Sequence, residues 1–309
     1  AHVEFIKMML EDAIPSHTQL IVNADDPISS YLCPDNPRLS FSLKALLEEV
    51  QIKDSRIVDL IYCPKCEHEL VYDFQRYHHI GQVHCTNCDF KSLKADLVGT
   101  VMDHKLSVQS HDKNLSFDVL GDNSTDHYNL LAAISLFSLL GFDLQAIQAE
   151  LNKLKIVKTR FDQVEVKGKQ ITIMMTKDQN PIATSRVFDY IAHQTNHRIA
   201  LILINENSEH HTLSENNAWY YDTDFEYLKQ DHIVQIIGGG YRVLDLKVRV
   251  ALTGIPLDRY RSTLNELDTS NLVDFERVDS IYILNGTKNI PEAKQIRKHL
   301  IERIEREGV

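Results

Sequence analysis

"CPKCEHELVYDFQRYHHIGQVHCTNCDF", residues 63–90, places two cysteine pairs in the middle of a chain of 309 residues. Cys63 and Cys66 form one pair and Cys85 and Cys88 the other, with eighteen residues between Cys66 and Cys85. That interval lies inside the window for paired C-x-x-C zinc sites. Two thiolates two residues apart can face one ion, and two such pairs complete a tetrahedron. A catalytic zinc keeps one position open, whereas four thiolates fill the shell, so the pattern predicts a structural ion remote from any chemistry. The competing reading is four unrelated buried cysteines. Lys65 and Asn87 stand inside the knuckles, where the turn is expected to need left-handed backbone. Between the pairs, apolar and polar residues alternate around Gly81, as in a short β-ribbon. His68, His78, His79 and His84 are expected on solvated surface, each an alternative ligand.

The rest of the chain sets the bounds. Its length predicts two domains, each able to bury a core. The net charge of -11 argues against a nucleic-acid surface. Within the ribbon, Lys65, Arg76, Lys91 and Lys94 are offset by Glu67, Glu69, Asp73 and Asp89. No apolar run approaches the length of a membrane span and no signal peptide opens the chain, so a soluble protein without a transmembrane segment is expected. Four cysteines held as thiolates and a fifth, Cys33, left unpaired predict the cytoplasm.

Apolar patterning divides the chain further. "AHVEFIKMMLEDAI" has helical spacing in Phe5, Ile6, Met9, Leu10 and Ile14, and "TQLIVNADDP" predicts a buried strand entering a polar turn. After the ribbon, residues 116–154 predict a strand, a turn and two helices. Leu130, Leu131, Ile134, Phe137 and Leu140 form one helical face there, with Gly141 as the stop. "IVKTRF" is expected to link two domains, residues 1–157 and 158–309, with the ribbon inserted at about 60–92 of the first. Beyond it, "QITIMM", "IALILI", "IVQIIGG" and "SIYILNG" alternate with helical stretches, the pattern of a parallel sheet with crossover helices. The last helix, "PEAKQIRKHLIERIER", opens with proline in its first turn.

Three short stretches carry candidate chemistry. "NADDP" at 23–27 is a polar cluster where a strand ends, the place at which α/β sheets bind ligands, or else a plain strand-ending turn. "GDNSTDHYNLLAA" sets Asn129 near the start of a helix with Asp126 one turn earlier, either as cap or as an amide that pairs with adenine. Arg160 and Lys177 offer phosphate or ribose contacts, against a reading as solvated cations.

Taken in chain order, "LIVNADDP", the four-cysteine ribbon, "GDNSTDHYNLLAA", "TRFD", "KDQNP" and "AWYYDTDFEYL" resemble the MurT subunits of lipid II isoglutaminyl synthases. The resemblance covers nearly the whole chain. It implies an α/β fold, with a partial Mur-ligase-like central domain bearing the inserted zinc ribbon and a C-terminal Rossmann-like α/β domain. It also implies ATP-dependent amidation, with Mg2+, of the D-glutamate α-carboxylate in the lipid II stem peptide. Ammonia would come from a GatD-like glutaminase docked on the C-terminal domain, next to the loop from Ser208 to Asn217. Asn23, Asp26, Asn129, Arg160 and Lys177 would then face one ATP-binding cleft between the domains.

Three differences from the family pattern bear on function. No GxxxxGK[ST] phosphate loop occurs in these residues, whereas the family carries one upstream of "NADDP". The expectation is a chain lacking the first part of that domain, through truncation, fragmentation or degeneration. Asp126 stands where the family has asparagine. Asn216 falls where a family aspartate completes the partner's Cys–His triad, with Glu215 beside it and Asp222 or Asp224 as alternative carboxylates. The alternative function is a degenerate interaction or scaffold protein without ATP chemistry.

Overall fold

The computed structural model describes residues 2–46, 49, 59–102, 105–110, 113–119, 124–153, 161–176, 180–204 and 218–308. The chain divides into two compact units, Ala1–Ile156 and Val157–Val309.

The first unit opens with helix α1 (His2–Ala13), whose Phe5, Ile6, Met9 and Leu10 are exposed. Strands β1 (Leu20–Asn23) and β2 (Arg38–Leu43) follow, then the hairpin β3 (Leu70–Tyr77) and β4 (Ile80–Cys85). Next come β5 (Leu97–Met102), β6 (Lys105–Ser110) and β7 (Lys113–Asp118), and helices α2 (Ser124–Leu139) and α3 (Leu144–Leu151). The main sheet runs β1-β2-β5-β6-β7. Its first three strands are parallel and the last three form an antiparallel meander. Parallel neighbours need a crossover between them. The segment joining β2 to β5 supplies it, and the β3–β4 hairpin belongs to that segment.

Helix α2 packs on β1, β2 and β5, where Leu131 and Ile134 meet Phe41, Leu43, Leu97 and Leu106. Gly99 on β5 permits the approach. A Cβ there would come within 2.8 Å of Leu43, 2.9 Å of Leu106 and 3.0 Å of Leu131. The expected apolar face is only partly buried, because Phe137 and Leu140 are exposed. Phe137 instead meets Phe142 edge-on at 5.8 Å, closing the helix stop. Gly141 at φ 84 lets the Phe142 N–H reach Phe137 O and its own N–H reach Ser138 O, both at 3.0 Å. This is the paired-bond C-terminus that glycine favours.

The second unit contains β8 (Phe161–Val166), β9 (Lys169–Met175), α4 (Pro181–Ala192), β10 (Ile199–Ile204), α5 (Ala218–Asp222), β11 (Ile233–Gly239) and α6 (Val243–Leu252). It ends with β12 (Tyr260–Thr263), β13 (Ser280–Asn285) and α7 (Ile290–Glu307). The sheet order is β12-β11-β10-β13-β9-β8, parallel throughout except for β8 at the edge. All six residues of β10 are buried. Ile199, Leu201 and Leu203 face one core and Ala200, Ile202 and Ile204 the other. Burial on both faces is what turns a central parallel strand into an unbroken apolar run. Helices α4 and α6 cover one face through Phe188, Ile191, Leu246 and Val250. On the other, α7 supplies Ala293, Ile296, Leu300 and Ile304 at helical spacing.

Candidate functional site

The four cysteines converge. Their sulfurs all lie within 4.8 Å of one another. Cys63 Sγ is 3.6 Å from Cys88 Sγ, and Cys66 Sγ is 3.5 Å from Cys85 Sγ. Each knuckle folds its backbone onto its first sulfur, with the Lys65 N–H on Cys63 Sγ and the Asn87 N–H on Cys85 Sγ, both at 3.4 Å. Left-handed backbone falls at Glu67 (φ 60), not at Lys65 or Asn87. The turn comes one residue after Cys66, so that the Cys63 N–H can reach His68 O at 2.7 Å.

Backbone donation at His68 leads the groups that lower the Cys66 thiol to about 6. At Cys88 the Phe90 backbone bond also lowers, but desolvation and the other three thiols outweigh it and push the thiol up to about 12. Four adjacent sulfurs do not all ionise without a cation among them. The donor set therefore fits a soft divalent ion in tetrahedral coordination, and the cluster can hold a metal. Leu70, Val83 and Phe90 enclose it, and Tyr31 packs on Phe90 at 4.8 Å.

At its other end the hairpin reaches the "NADDP" turn. Asp25, between the two residues singled out in the sequence, is wholly buried. Its carboxylate accepts from the Leu43 N–H and the Tyr128 hydroxyl, each at 2.8 Å, and lies 3.4 Å from Arg76 Nη1. Arg76 on β3 is itself buried, and Glu49 grips its Nε and Nη2 at 2.7 and 2.9 Å. Burial raises the Asp25 carboxyl above its usual range, opposed by the Leu43 N–H, Tyr128 and Arg76. From β4, the Gly81 N–H donates to Asp25 O at 2.7 Å. Glycine is required there, since a Cβ would sit 2.2 Å from Phe74 O. Sequence reading missed Asp25, Glu49, Arg76 and Tyr128, because an ion pair between residues 51 positions apart leaves no local signal.

The predicted nucleotide residues separate into three groups. Asn23 closes the turn, its Oδ1 accepting from the Asp25 N–H at 3.0 Å. Asp26 starts the short helical turn after it, accepting from the Ile28 and Ser29 N–H groups and the Ser29 hydroxyl at 2.9, 3.0 and 2.6 Å. Asn129 is exposed on α2 beside Tyr128. Arg160 and Lys177 lie outside the described residues, as does any cleft that they would help to line.

Two of the four ribbon histidines depart from the expectation of solvated surface. His78, at φ 48, is buried in the hairpin turn, and half-buried His79 sits between Asp26 and Asp59 at 3.4 and 2.8 Å.

In the second unit, Glu215 and Asn216 lie outside the described residues, and so does the whole Ser208–Asn217 loop. Asp222 ends α5 and is exposed, while Asp224 is buried. The aromatic run splits by position. Tyr220 is core, Trp219 stacks on it at 4.1 Å and packs against the same core, and Tyr221 is 43% exposed. Buried Arg249 of α6 fixes α5 from below, donating to Tyr220 O at 2.9 Å, Thr223 O at 2.8 Å and the Glu226 carboxylate at 2.7 and 3.2 Å.

Residues 178–287 match the family model of the MurT ligase C-terminal domain. The chain is 26% identical over 289 residues to the subunit MurT of Staphylococcus aureus lipid II isoglutaminyl synthase (glutamine-hydrolyzing), covering 91% of this chain and 62% of that protein. Against the Streptococcus pneumoniae MurT it is 25% identical, over 89% of this chain and 61% of that protein. The chain thus spans somewhat less than two thirds of these relatives. In three dimensions it is similar to a pseudomurein peptide ligase type C from Methanothermus fervidus, with a TM-score of 0.69 and 19% identity over 96% of this chain and 59% of that one. It is also similar to MurF from Acinetobacter baumannii, with a TM-score of 0.59 and 11% identity over 97% and 55% of the two chains. The fold is therefore similar to that of these ligases, and the chain is similar to the MurT subunits along most of its length, with residues 178–287 matching the MurT ligase C-terminal model.

Proposed function

We propose that the chain is the ligase side of a glutamine-dependent amidotransferase that converts the D-glutamate α-carboxylate of the lipid II stem peptide to an amide, at the expense of ATP, on the cytoplasmic face of cell-wall synthesis. The observation that carries this reading is the union of two features in one unit: a Mur-type "NADDP" turn at the carboxyl end of β1 and a four-cysteine hairpin tied to it. Making an amide from a carboxylate requires a carboxylate oxygen to become a leaving group. ATP supplies that by phosphoryl transfer, after which ammonia displaces phosphate. Asn23, Asp26 and Asn129 are the candidates in the first unit for holding the nucleotide with Mg2+, joined by Arg160 and Lys177. The four cysteines hold zinc, which has no open position and serves the ribbon's fold.

Ammonia is best generated where it is used, which supports a GatD-like glutaminase partner bound to the second unit. Asn216, with Glu215 and Asp222 as alternatives, is the position from which this chain would orient the partner's catalytic histidine. Among the described residues no helix is long and apolar enough to cross a membrane. A cluster of reduced thiols suits the cytoplasm.

The test uses the intact natural protein with its glutaminase partner, lipid II, ATP and glutamine. Amidated lipid II, ADP and glutamate are expected in equal amounts. A complex that forms and binds ATP yet yields no amide would replace this reading with that of a scaffold.

A further inference from the structure

We propose that Arg76, delivered by the four-cysteine ribbon, is a positioning residue for the nucleotide turn at 23–27, so that metal in the ribbon sets the geometry in which the turn meets ATP. The inference rests on the nucleotide role proposed above for that turn.

Both strands of the hairpin hold Asp25, and they hold different parts of it. From β3, Arg76 faces the carboxylate; from β4, the Gly81 N–H bonds its carbonyl at 2.7 Å and Gln82 Nε2 comes within 3.5 Å of Oδ1. Asp25 therefore has side chain and main chain fixed at once, and the flanking Asn23 and Asp26 inherit that orientation. Arg76 has little freedom of its own. Glu49 binds it bidentately, its Nη2 donates to Lys44 O at 3.0 Å, and its guanidinium lies 5.1 Å from the centre of the Phe74 ring and 5.3 Å from that of Tyr128.

An anchor that only had to attach the hairpin would be served by apolar contact. Burying a guanidinium with two carboxylates costs more than packing hydrocarbon of equal volume. The arrangement makes sense where a particular turn geometry is worth that cost. The other end of the same hairpin is the cysteine cluster, since β3 begins four residues after Cys66 and β4 ends on Cys85. A two-stranded hairpin is marginal alone, and metal ribbons fold with their ion. Metal closes the hairpin, the hairpin carries Arg76 and Gly81, and these hold Asp25.

The experiment uses the intact natural protein with zinc bound. Metal content, amide exchange at Leu43 and Gly81, and ATP affinity by calorimetry are measured for wild type, for Arg76→Lys and for each after chelation. Lysine keeps the charge but cannot make the bidentate pair with Glu49. Arg76→Lys is expected to retain its zinc, to lose protection at both amides and to bind ATP roughly tenfold more weakly. Chelating wild type should give the same loss, reversed by zinc, while chelating Arg76→Lys should add little. Glu49→Gln, which loosens the guanidinium without touching β3, serves if Arg76→Lys does not fold.

Unchanged protection in the chelated and Arg76→Lys proteins would overturn the proposal, as would lost protection with wild-type ATP affinity. If protection falls in both proteins but zinc-loaded wild type binds no ATP, the coupling stands and the nucleotide role of the turn fails.

Discussion

His79 shows how much a single residue of the ribbon contributes beyond metal binding. Its ring bridges Asp26 of the turn and Asp59, a residue upstream of the first cysteine pair. Burial favours the neutral ring, but the hydrogen bonds to the two carboxylates outweigh it and raise the imidazole to about 9. Asp26 is lowered although burial raises it, because the His79 bond and charge prevail; Asp59 is lowered first by its His79 bond. A folded pKa above the unfolded value means that the stabilisation from His79 is complete below about pH 6.5 and lost as pH rises through about 9. The carboxylates act in the opposite sense, their share present above about pH 3.8 and lost on acidification. The bridge is therefore at full strength between about pH 4 and 6.5 and persists in large part at neutrality. An NMR titration of the His79 ring should give a midpoint near 9 in the wild type and a clearly lower one in Asp59→Asn. A wild-type midpoint at the ordinary histidine value would contradict the bridge.

Among the described α-helices, α5 is the shortest, and five residues are far below the length of a stable isolated helix. Its position depends on Arg249, whose guanidinium satisfies two main-chain carbonyls and Glu226 and lies 5.0 Å from the centre of the Phe225 ring. Arg249→Met would leave Tyr220 O and Thr223 O without these donors, while Glu226, 41% exposed at its side chain, could turn to water. The expected cost is about 2–3 kcal/mol, mostly from the two stranded carbonyls. Calorimetry of the second unit's transition should show it, with faster exchange at the Thr223 amide.

The sequence announced its elements unevenly. β9, β10, β11 and β13 stood out because both their faces are buried, and α7 because its apolar stripe is strict and Pro291 marks its first turn. Strand β6 went unread, although Leu106 and Val108 alternate with polar residues, because a six-residue strand with no glycine or proline at its ends resembles a polar loop, whereas the strand expected from Ser116 onward is the second half of β7. The cysteine cluster was readable from spacing alone. The Asp25–Arg76–Glu49 set was not, because its members meet only after the hairpin has folded back onto β1 and β2.

At the scale of the whole chain, each unit is built around cores of its own. The first relies on Phe41, Leu106, Leu131 and Ile134 beneath α2 together with the small cluster around the cysteines. The second relies on two cores, one on each face of its sheet. Stability should accordingly be carried in two cooperative blocks, and a metal held by the four cysteines would bear on one of them. Heating the intact protein should give two transitions, assigned by amide exchange in residues 97–108 for the first unit and in residues 199–204 and 281–284 for the second. With zinc held by the cysteine cluster as proposed, its removal should open the cysteine end of the β3–β4 hairpin and weaken the tethers from Arg76 and Gly81 to Asp25. At a cost of about 2–3 kcal/mol to a unit of this size, the first transition should fall by roughly 5–10 °C. The second should stay where it was, because neither of its cores contains a residue of the ribbon. Restoring zinc should bring the first transition back. A single transition that moves as one when the metal is removed would show that the two blocks unfold together.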